Sequence, residues 1–369
     1  MDIAELRRTL AEFPRSTLAA LPTPLHPLPR LTAQLDGPEL WIKRDDLTGL
    51  AGGGNKTRRL EYLVADAMQA NADTLVTVGA IQSNHTRQTA AAAARAGLGC
   101  VLLHNAWAPD SGPHYRTAGN ILLSDLLGAE LLVDDTPRRL GDAGVLAALV
   151  DHLAAAGRRP YLIPGGASDH PLGGLGYAAA AAELLAQGPA FDAIVHCTGS
   201  SGTQAGLLAG LAALDSDVRV IGISDDDDTE DKAPRVLRLA NATLVALGLP
   251  GRLGRRDVEV VVADGSPYGV ADSKTLDAIR LLARSEGLIA DPVYEGKAVR
   301  GLIELIEDGR LHRGQRVLLL HMGGTPAVHA YADQLRQEPS ALTAISIALS
   351  REIGPSMRSS LPPRSTSSV

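Results

Sequence analysis

The sequence predicts an α/β protein with parallel sheets, and its length suggests two domains. Apolar strand-like runs alternate with helical runs along most of the chain. The strand-like runs are apolar throughout, as is typical of parallel strands that helices cover on both faces. The chain has 369 residues, which is more than one hydrophobic core comfortably holds.

The alternation can be assigned element by element. A strand at 40–43 leads through a polar loop to three glycines, and from Thr57 onward apolar residues recur at helical spacing. The predicted elements that follow are strand 74–78, helix 85–96, strands 100–103, 131–133 and 161–163, helix 174–186, strand 193–197, helix 203–214, strand 218–223, helices 274–285 and 297–308, and strand 316–320. Because ligands bind at the carboxyl ends of parallel strands, we expect the polar loops after these strands to converge on one site.

Both ends of the chain depart from this pattern. Residues 1–40 are punctuated by prolines such as Pro22 and Pro24, which suits an extended segment over a domain surface. Residues 351–369 are rich in serine, proline and arginine. We expect this tail to be disordered, because it buries too little apolar area to offset the entropy of ordering.

Composition argues against several classes of function. The net charge of −7 and the aromatic content of 3% do not suit a nucleic-acid surface, which needs basic patches and stacking rings. Two cysteines, Cys100 and Cys197, cannot form a disulfide framework and favour a reducing compartment. No apolar run reaches membrane-spanning length, so we expect a cytoplasmic protein.

Residues 52–56, Gly-Gly-Gly-Asn-Lys, place a lysine at a predicted helix start. Glycines let the backbone approach a ligand closely, and the first helical turn has unpaired N–H groups. Lys56 could therefore be a phosphate clamp or, if desolvated, a nucleophilic amine. The alternative is a solvated surface lysine beside Arg58 and Arg59.

A second glycine-rich element, 197–206, follows a predicted buried strand. Its glycines, hydroxyls and helix start are typical of an anion-binding nest, although a tight turn without a ligand has the same composition. The element lacks the motifs of nucleotide and dinucleotide loops, so a monophosphate fits better. A phosphate nest and a separate lysine together suggest pyridoxal phosphate, which carries both a phosphate and an aldehyde. The three glycines would then give the cofactor ring room beside Lys56.

Two further loops contain candidate functional residues. Ser83 and Asn84 precede an alanine-rich helix, where Asn84 is either a ligand-binding residue or only the N-cap. Tyr294 could be a general acid or base if a neighbouring cation lowered its pKa. Glu295 could cap its helix or pair with a ring nitrogen.

The acidic run 225–231 invites a metal hypothesis. It lacks the alternating spacing of a calcium loop, so we favour a solvated loop that starts a helix and expect no metal.

These stretches together resemble the fold-type II pyridoxal-phosphate enzymes, and among them the family of D-cysteine desulfhydrases and 1-aminocyclopropane-1-carboxylate (ACC) deaminases. The resemblance covers about residues 15–335. The segments that carry it are 53–62, 81–89, 173–177, 202–206, 291–298 and 323–327.

The resemblance implies a tryptophan synthase β-like fold with two open twisted parallel-sheet αβα domains. Residues 1–53 and 164–350 would form the large cofactor-binding domain, and 54–163 the small one. A homodimer is also implied. The implied cofactor-binding residues are Lys56, Asn55, Asn84, Gly199, Ser200, Ser201, Gly202, Thr203 and Glu295. The implied catalytic residues are Lys56, which binds the cofactor covalently, Tyr294 and Ser83. The implied substrate-binding residues are Ser83, Asn84, Gln82, Tyr268, Tyr294 and Met322.

The implied activity is release of ammonia and a 2-oxo acid from a small amino acid. His85 and the phosphate loop resemble D-cysteine desulfhydrases, whereas Glu295 and the segment 168–171 resemble ACC deaminases. We favour β-elimination from D-cysteine, giving pyruvate, hydrogen sulfide and ammonia. The alternatives are ACC deamination to 2-oxobutyrate, an L-cysteate sulfo-lyase, and a pyridoxal-phosphate-binding regulator without turnover. A kinase is disfavoured because no convincing magnesium-binding residues accompany the nest.

Overall fold

The computed structural model describes residues 1–106, 108, 111–136, 143–226 and 231–336. The predicted tail 351–369, the stretch 337–350 of the predicted large domain and residues 227–230 of the acidic run lie outside them.

The described residues form two sheets with parallel strands. Their strands are β1 (Leu25–Pro27), β2 (Glu39–Arg44), β3 (Thr74–Ala80), β4 (Gly99–Asn105), β5 (Glu130–Asp134), β6 (Pro160–Leu162), β7 (Ala193–Thr198), β8 (Arg219–Ser224), β9 (Glu259–Val261) and β10 (Arg316–His321). One sheet has the order β1-β2-β10-β7-β8-β9, and the other has the order β5-β4-β3-β6. All neighbouring strands are parallel except β1 and β2. The fold-type II α/β expectation is confirmed.

Helices cover these sheets. They are α1 (Ile3–Ala11), α2 (Pro29–Leu35), α3 (Lys56–Gln69), α4 (Asn84–Ala96), α5 (Asn120–Leu126), α6 (Ala143–Ala155), α7 (Leu175–Gln187), α8 (Gly202–Ala213), α9 (Lys232–Ala246), α10 (Ser273–Glu286), α11 (Glu295–Glu307) and α12 (Ala332–Leu335). The strands β7 and β10 are buried almost throughout, which explains why they read as continuous apolar runs. None of the helices in the described ranges is long and apolar enough to cross a membrane.

The expectation of an extended segment over 1–40 is wrong. Residues 3–11 form α1, where Asp2 and Glu5 make a capping box and Leu6 and Leu10 are buried. Residues 29–35 form α2, and the proline at its start lies where a helix tolerates it. Prolines therefore mark helix starts here as well as extended chain.

The proposed division into domains follows the sheets. Strands β1, β2 and β7–β10 share one sheet, and β3–β6 form the other. The chain passes between the two sheets before α3 and after β6. The boundaries themselves stay a prediction.

Candidate active site

A cavity of about 730 Å³ opens at the carboxyl ends of strands from both sheets. The loops after β3, β6, β7, β8 and β10 and the start of α3 contribute to its walls. The predicted site residues that line it are Asn55, Lys56, Ser83, Asn84, Gly199, Ser200, Ser201, Thr203, Tyr268, Tyr294, Glu295 and Met322. The structure thus brings the separate polar loops to one place.

Lys56 begins α3 and is part-buried at the cavity. Its amine donates a hydrogen bond to Asn55 Oδ1 at 3.3 Å. Burial, followed by the nearby Arg59 cation, lowers the pKa of Lys56 to about 7. Asn55 is held in turn, because its Nδ2 donates to Thr203 Oγ1 at 3.0 Å and its backbone N–H to the Met322 carbonyl at 2.9 Å. An amine that is partly neutral at neutral pH suits a nucleophile better than a phosphate clamp.

The three glycines before Lys56 do not make room for a cofactor ring as expected. All three have positive φ angles, which favour glycine. A Cβ on Gly53 would lie 1.8 Å from the Asp46 carbonyl oxygen, and one on Gly54 would lie 2.5 Å from the Gln88 amide nitrogen. Other protein atoms occupy the space beside these glycines. The glycines therefore allow the tight turn that places Lys56 at the cavity.

The loop from β7 to α8 has the features of an anion-binding nest. Ser201 has a left-handed φ of +70° and caps α8 without a side-chain hydrogen bond. Among the described residues, the buried hydroxyls of Thr198 and Ser201 have no hydrogen-bond partner. Gly202 lies outside the cavity wall, where a Cβ would meet Ser168 Oγ at 2.7 Å. Unpaired polar groups at a helix start are what a bound phosphate satisfies.

Arg59 is a site residue that sequence reasoning missed. Its buried guanidinium donates to the Gly166 carbonyl at 2.7 Å, to Ser168 Oγ at 2.8 Å and to Thr203. Burial lowers its pKa to about 10, which leaves it a cation at neutral pH. Arg59 follows Lys56 by three residues, and residues at that spacing lie on the same face of a helix. The spacing of three residues from Lys56 is the feature of the sequence that could have identified Arg59.

Ser83 and Asn84 have different hydrogen-bonding roles at the start of α4. Ser83 is the N-cap of α4, since its Oγ accepts from the backbone N–H groups of His85 and Thr86 at 3.2 and 3.4 Å. The alternative in which Asn84 is the N-cap is therefore wrong. Asn84 Oδ1 accepts from Asn120 Nδ2 at 3.0 Å, which turns the Asn84 amide N–H groups away from Asn120.

Gln82 is not brought to the cavity wall. Its amide nitrogen donates to the carbonyls of Tyr115 and Ala118, and its Oε1 accepts from the Asn120 backbone at 2.9 Å. These bonds commit the side chain to the backbone that leads into α5. We do not carry Gln82 into the proposed substrate site.

Glu295 is the first residue of α11, and Asp291 rather than Glu295 caps that helix. Asp291 accepts from the backbone N–H groups of Val293, Tyr294 and Glu295 at 2.8, 2.9 and 3.2 Å. The Glu295 carboxyl is therefore released from capping and lines the cavity. Burial, with the nearby Asp291 charge, raises the pKa of Glu295 well above its usual range.

Tyr294 and Tyr268 form a hydrogen-bonded pair of phenols at the cavity. Their hydroxyl groups are joined by a hydrogen bond, and their rings meet edge to face with centroids 5.7 Å apart. Burial raises the pKa of both hydroxyls well above the usual value. The sequence argument required a cation that lowers the pKa of Tyr294, and this condition is not met. Tyr294 is a neutral phenol that can donate a proton.

In the described part of the acidic run, Asp231 is exposed at the start of α9 as expected, but Asp225 is not solvated. Asp225 is buried, and Lys232 Nζ lies 2.5 Å from the carboxylates of Asp225 and Asp226. A Cβ on Gly199 would lie 2.2 Å from Asp225 Oδ2, so this cluster packs against the phosphate-type loop. Within the described ranges, no group of three or more histidine, cysteine or acidic side chains could hold a metal ion.

These residues fit pyridoxal phosphate. A desolvated lysine amine faces the same cavity as a loop whose buried hydroxyls have no partner in the described part of the chain. The buried Arg59 cation lies beside that loop, and a buried carboxyl lies in the cavity wall. The lysine amine suits the aldehyde of the cofactor, and the loop with Arg59 suits its phosphate. The carboxyl suits its ring nitrogen.

Comparisons with known proteins agree with this fit. The family model for "Pyridoxal-phosphate dependent enzyme" matches residues 16–323. The ACC deaminase of Ralstonia pickettii is 43% identical over 330 residues, which cover 88% of this chain and 98% of that protein. The ACC deaminase of Methylobacterium nodulans is 44% identical over 334 residues, or 89% of this chain and 99% of that protein. These relatives carry the name of the alternative activity, so the preference for D-cysteine desulfhydrase is not confirmed.

Solved structures are similar as well. An ACC deaminase homologue superposes with a TM-score of 0.82 at 36% identity and covers 90% of this chain and 98% of that one. A variant of O-ureido-L-serine synthase superposes with a TM-score of 0.63 at 20% identity, covers 92% of this chain and 97% of that one, and shows the fold alone. The chain therefore belongs to the pyridoxal-phosphate dependent enzyme family, within its fold-type II group of D-cysteine desulfhydrases and ACC deaminases.

Proposed function

We propose that this enzyme is an ACC deaminase, which converts ACC and water to 2-oxobutyrate and ammonia. The observation that carries the proposal is the buried Glu295 carboxyl, which lines the cavity because Asp291 caps α11 in its place. The relatives named ACC deaminase support the same choice. The expected cytoplasmic location and homodimer belong to this proposal.

Pyridoxal phosphate supplies a ring that withdraws electrons from the carbons of a bound amino acid. We assign its phosphate to the 199–203 loop with Arg59 close by, its aldehyde to Lys56, its ring hydroxyl to the Asn84 amide and its ring nitrogen to Glu295. Each assignment pairs a polar group of the cofactor with a side chain or loop at the cavity or directly behind its wall.

Glu295 distinguishes the two candidate reactions. Burial raises the pKa of the Glu295 carboxyl, which favours its protonated form, and a protonated carboxyl can share its proton with a basic nitrogen. A protonated ring nitrogen makes the ring a stronger electron acceptor. ACC has no hydrogen on its α-carbon, so cleavage of its ring needs that stronger acceptor, whereas loss of a β-leaving group from D-cysteine does not.

Lys56 and the tyrosine pair handle protons. With a pKa lowered to about 7, the Lys56 amine is neutral in a large fraction of molecules at pH 7 and can accept a proton from a substrate carbon. Tyr294 keeps its proton because burial raises its pKa, and a hydrogen bond joins its hydroxyl to that of Tyr268. Ser83 lines the same wall, and we assign its hydroxyl to the substrate.

Product analysis tests the proposal directly. The enzyme loaded with pyridoxal phosphate is incubated with ACC, D-cysteine, L-cysteate or D-serine while the 2-oxo acid and sulfide are measured. We expect 2-oxobutyrate from ACC. Sulfide and pyruvate from D-cysteine without any 2-oxobutyrate from ACC would assign the desulfhydrase activity instead, and sulfite from L-cysteate alone would assign the sulfo-lyase.

A substitution at residue 295 tests whether ACC turnover depends on the Glu295 carboxyl. Glu295→Thr should lower ACC turnover by about 100-fold, the scale expected for loss of one electrostatic contact to the reacting group. Its visible absorbance with pyridoxal phosphate should persist, and any turnover of D-cysteine should fall much less. Glu295→Gln is the matched control, because it keeps the shape of the side chain and removes its acidity. Undiminished ACC turnover in both variants would remove Glu295 from the mechanism.

A further inference from the structure

A chain of buried hydrogen bonds lies behind the wall of the active-site cavity. Its central residue is Asn120, which begins α5 and is fully buried. The Asn120 side chain lies between Arg87 on α4 and Asn84, the cavity residue that we assign to the ring hydroxyl of the cofactor. Neither Arg87 nor Asn120 lines the cavity, so they reach the cofactor only through groups that do.

Arg87 fixes one end of this chain, because a guanidinium only donates hydrogen bonds. Its Nε donates to Asn120 Oδ1 at 2.7 Å, and its two terminal nitrogens donate to the backbone carbonyls of Ala51 and Gly53. Burial lowers the pKa of Arg87 to about 10, which leaves it a cation at neutral pH. Arg87 is therefore a buried cation among neutral acceptors, and it can only donate to each of them.

The direction of these bonds passes through Asn120 to Asn84. An amide side chain has one acceptor end and one donor end, so the Asn120 oxygen faces Arg87 and its nitrogen faces the other way. That nitrogen donates to Asn84 Oδ1 and to the Gln82 carbonyl, both at 3.0 Å. The Gln82 carbonyl only accepts, so it requires the same orientation of Asn120. The Asn84 oxygen is therefore occupied, and the Asn84 amide N–H groups are left for a ligand.

The same face of α4 holds the turn that carries Lys56. Arg87 and Gln88 follow Asn84 by three and four residues, which places the three side chains on one face of the helix. Gln88 Oε1 accepts from the Thr57 backbone N–H at 2.9 Å, and Gln88 Nε2 donates to the Asn84 carbonyl at 3.1 Å. The Asn84 amide and the start of α3 are thus tied to the same helix.

We propose that Asn120, oriented by Arg87, is a positioning residue that turns the Asn84 amide N–H groups toward the ring hydroxyl of pyridoxal phosphate. This role rests on the assignment of Asn84 to that hydroxyl in the proposed function, and it does not depend on which amino acid is the substrate. Without Asn120, the Asn84 amide is free to rotate and to present its oxygen instead. Asn120 thereby determines whether the ring hydroxyl meets a donor or an acceptor.

The direction of the Asn84 amide affects the charge on the ring oxygen. A hydrogen-bond donor stabilises the ionised oxygen, whereas an acceptor stabilises the protonated hydroxyl. When the cofactor is bound to Lys56, the form with the ionised oxygen absorbs visible light and the form with the protonated hydroxyl absorbs in the near ultraviolet. The ratio of visible to near-ultraviolet absorbance therefore reports the direction of the Asn84 amide without any turnover.

Asn120→Asp reverses this direction with little change of shape. The new carboxylate keeps Arg87 as a partner, stays ionised beside that cation and has no proton to donate. Asn84 can bond to it only by rotating its amide, which turns the amide oxygen toward the ring. In the loaded enzyme without substrate, we expect the absorbance ratio to fall by about fivefold, the scale of one hydrogen bond.

An Asn84→Ala background separates the direction of the amide from the charge of the new carboxylate. Asn84→Ala alone should lower the absorbance ratio by about threefold, because the donor is removed. Adding Asn120→Asp to it should change the ratio by less than about twofold, since no amide is left to rotate. Asn241→Asp is the matched control and should leave the ratio unchanged. Both ends of the Asn241 amide bond to the Leu253 backbone, and Asn241 lies outside the cavity wall.

Three results would overturn the role of Asn120, and they are distinguishable. An unchanged ratio in Asn84→Ala would remove the assignment of Asn84 to the ring hydroxyl, and the role of Asn120 with it. A lowered ratio in Asn84→Ala with a wild-type ratio in Asn120→Asp would remove the role of Asn120 alone. An equal fall on adding Asn120→Asp in both backgrounds would show that the carboxylate acts through its charge.

Asn120→Ala replaces Asn120→Asp if the latter does not fold. It releases the Asn84 amide, so the absorbance ratio should fall by about threefold where Asn84 is present and by less than about twofold in the Asn84→Ala background. A wild-type ratio in Asn120→Ala would overturn the role of Asn120. None of these spectra depends on ACC turnover, so a failure of the proposed activity is recognised separately by product analysis.

Discussion

At the scale of single residues, the active site depends on one amine that is kept out of water. Burial is the largest cause of the lowered pKa of Lys56, and the Arg59 cation adds to it. Arg59 stays in place because it bonds to Ser168, Thr203 and the Gly166 carbonyl. The same arginine therefore depresses the pKa of Lys56 and lies beside the proposed phosphate loop.

The pKa of Lys56 sets the pH dependence of cofactor uptake. Only the neutral amine reacts with an aldehyde, and the amine becomes neutral as pH rises through about 7. We expect the rate at which the cofactor-free protein gains visible absorbance to rise with pH, with a midpoint near 7, and to level off above it. Stopped-flow absorbance between pH 5.5 and 9 measures this rate.

Two controls isolate the lysine in this measurement. Lys56→Ala should give no covalent absorbance band at any pH. Pyridoxal without its phosphate should show the same midpoint, because the titrating group belongs to the protein. A rate that still rises steeply at pH 9 would mean that the Lys56 amine is solvated.

Sequence reasoning identified residues whose neighbours in the chain carry a signal. Lys56 stood out because three glycines and an asparagine precede it, and Ser201 because it lies in a run of glycines and hydroxyls. Arg59 and Asp291 carried no such context. Which carboxylate caps α11 depends on where two oxygens point, and only the fold decides that.

At the scale of elements, α11 connects the cap to the active site. Asp291 takes three backbone N–H groups at the start of α11, and Glu295 begins the helix with its carboxyl at the cavity. A Cβ on Gly324 would lie 2.0 Å from Asp291 Oδ2, so the turn after β10 packs against the cap. Burial raises the pKa of Asp291 from 3.8 to about 6.

The raised pKa of Asp291 predicts the direction in which the free energy of unfolding changes with pH. Between about pH 4 and 6 the folded protein keeps a proton on Asp291 that the unfolded chain has released, so this group's contribution to the free energy of unfolding falls as pH rises. Asp291→Asn cannot titrate. Relative to the wild type, its free energy of unfolding should rise by on the order of 2 kcal/mol from pH 4 to pH 7 and then stay level.

Urea unfolding of the two cofactor-free proteins at pH 4, 5, 6 and 7 measures the difference. Asp277→Asn, which removes an exposed carboxylate of α10, serves as the control and should show a much smaller change. Asp291→Ala should be less stable than Asp291→Asn by about 1 kcal/mol, because alanine cannot accept the cap hydrogen bonds. A difference between Asp291→Asn and the wild type that falls with pH would reverse the assigned direction of the pKa shift.

The long elements were predictable because their apolar period is regular, and the short ones were not. Helices α3, α4, α8 and α10 and strands β3, β7 and β10 lie close to the predicted ranges. Helix α2 was missed because prolines favour loops on average, although this helix starts with one. Helix α1 contains no proline and was missed because it was grouped with the proline-rich residues that follow it. The seven-residue α5 also escaped, because part of its apolar face is exposed.

At the scale of the whole molecule, two sheets face one cavity. Lys56, Ser83 and Asn84 lie in the part of the chain that carries the β3–β6 sheet, while the 199–203 loop and Glu295 lie with the other sheet. The alternation of strands and helices predicted that loops gather at strand ends. It did not predict how the two sheets meet, because that depends on packing between residues far apart in the chain.

A ligand that spans this cavity should stabilise both parts of the molecule together. We expect pyridoxal phosphate to slow hydrogen exchange both at 83–88, at the start of α4, and at 199–204, around the proposed phosphate loop. At a concentration 100 times its dissociation constant, it should raise the free energy of global unfolding by about 2.7 kcal/mol. Pyridoxal without phosphate is the matched ligand, and it should protect 83–88 but leave 199–204 nearly unchanged. Protection of only one segment by pyridoxal phosphate would show that the two sheets do not share the cofactor.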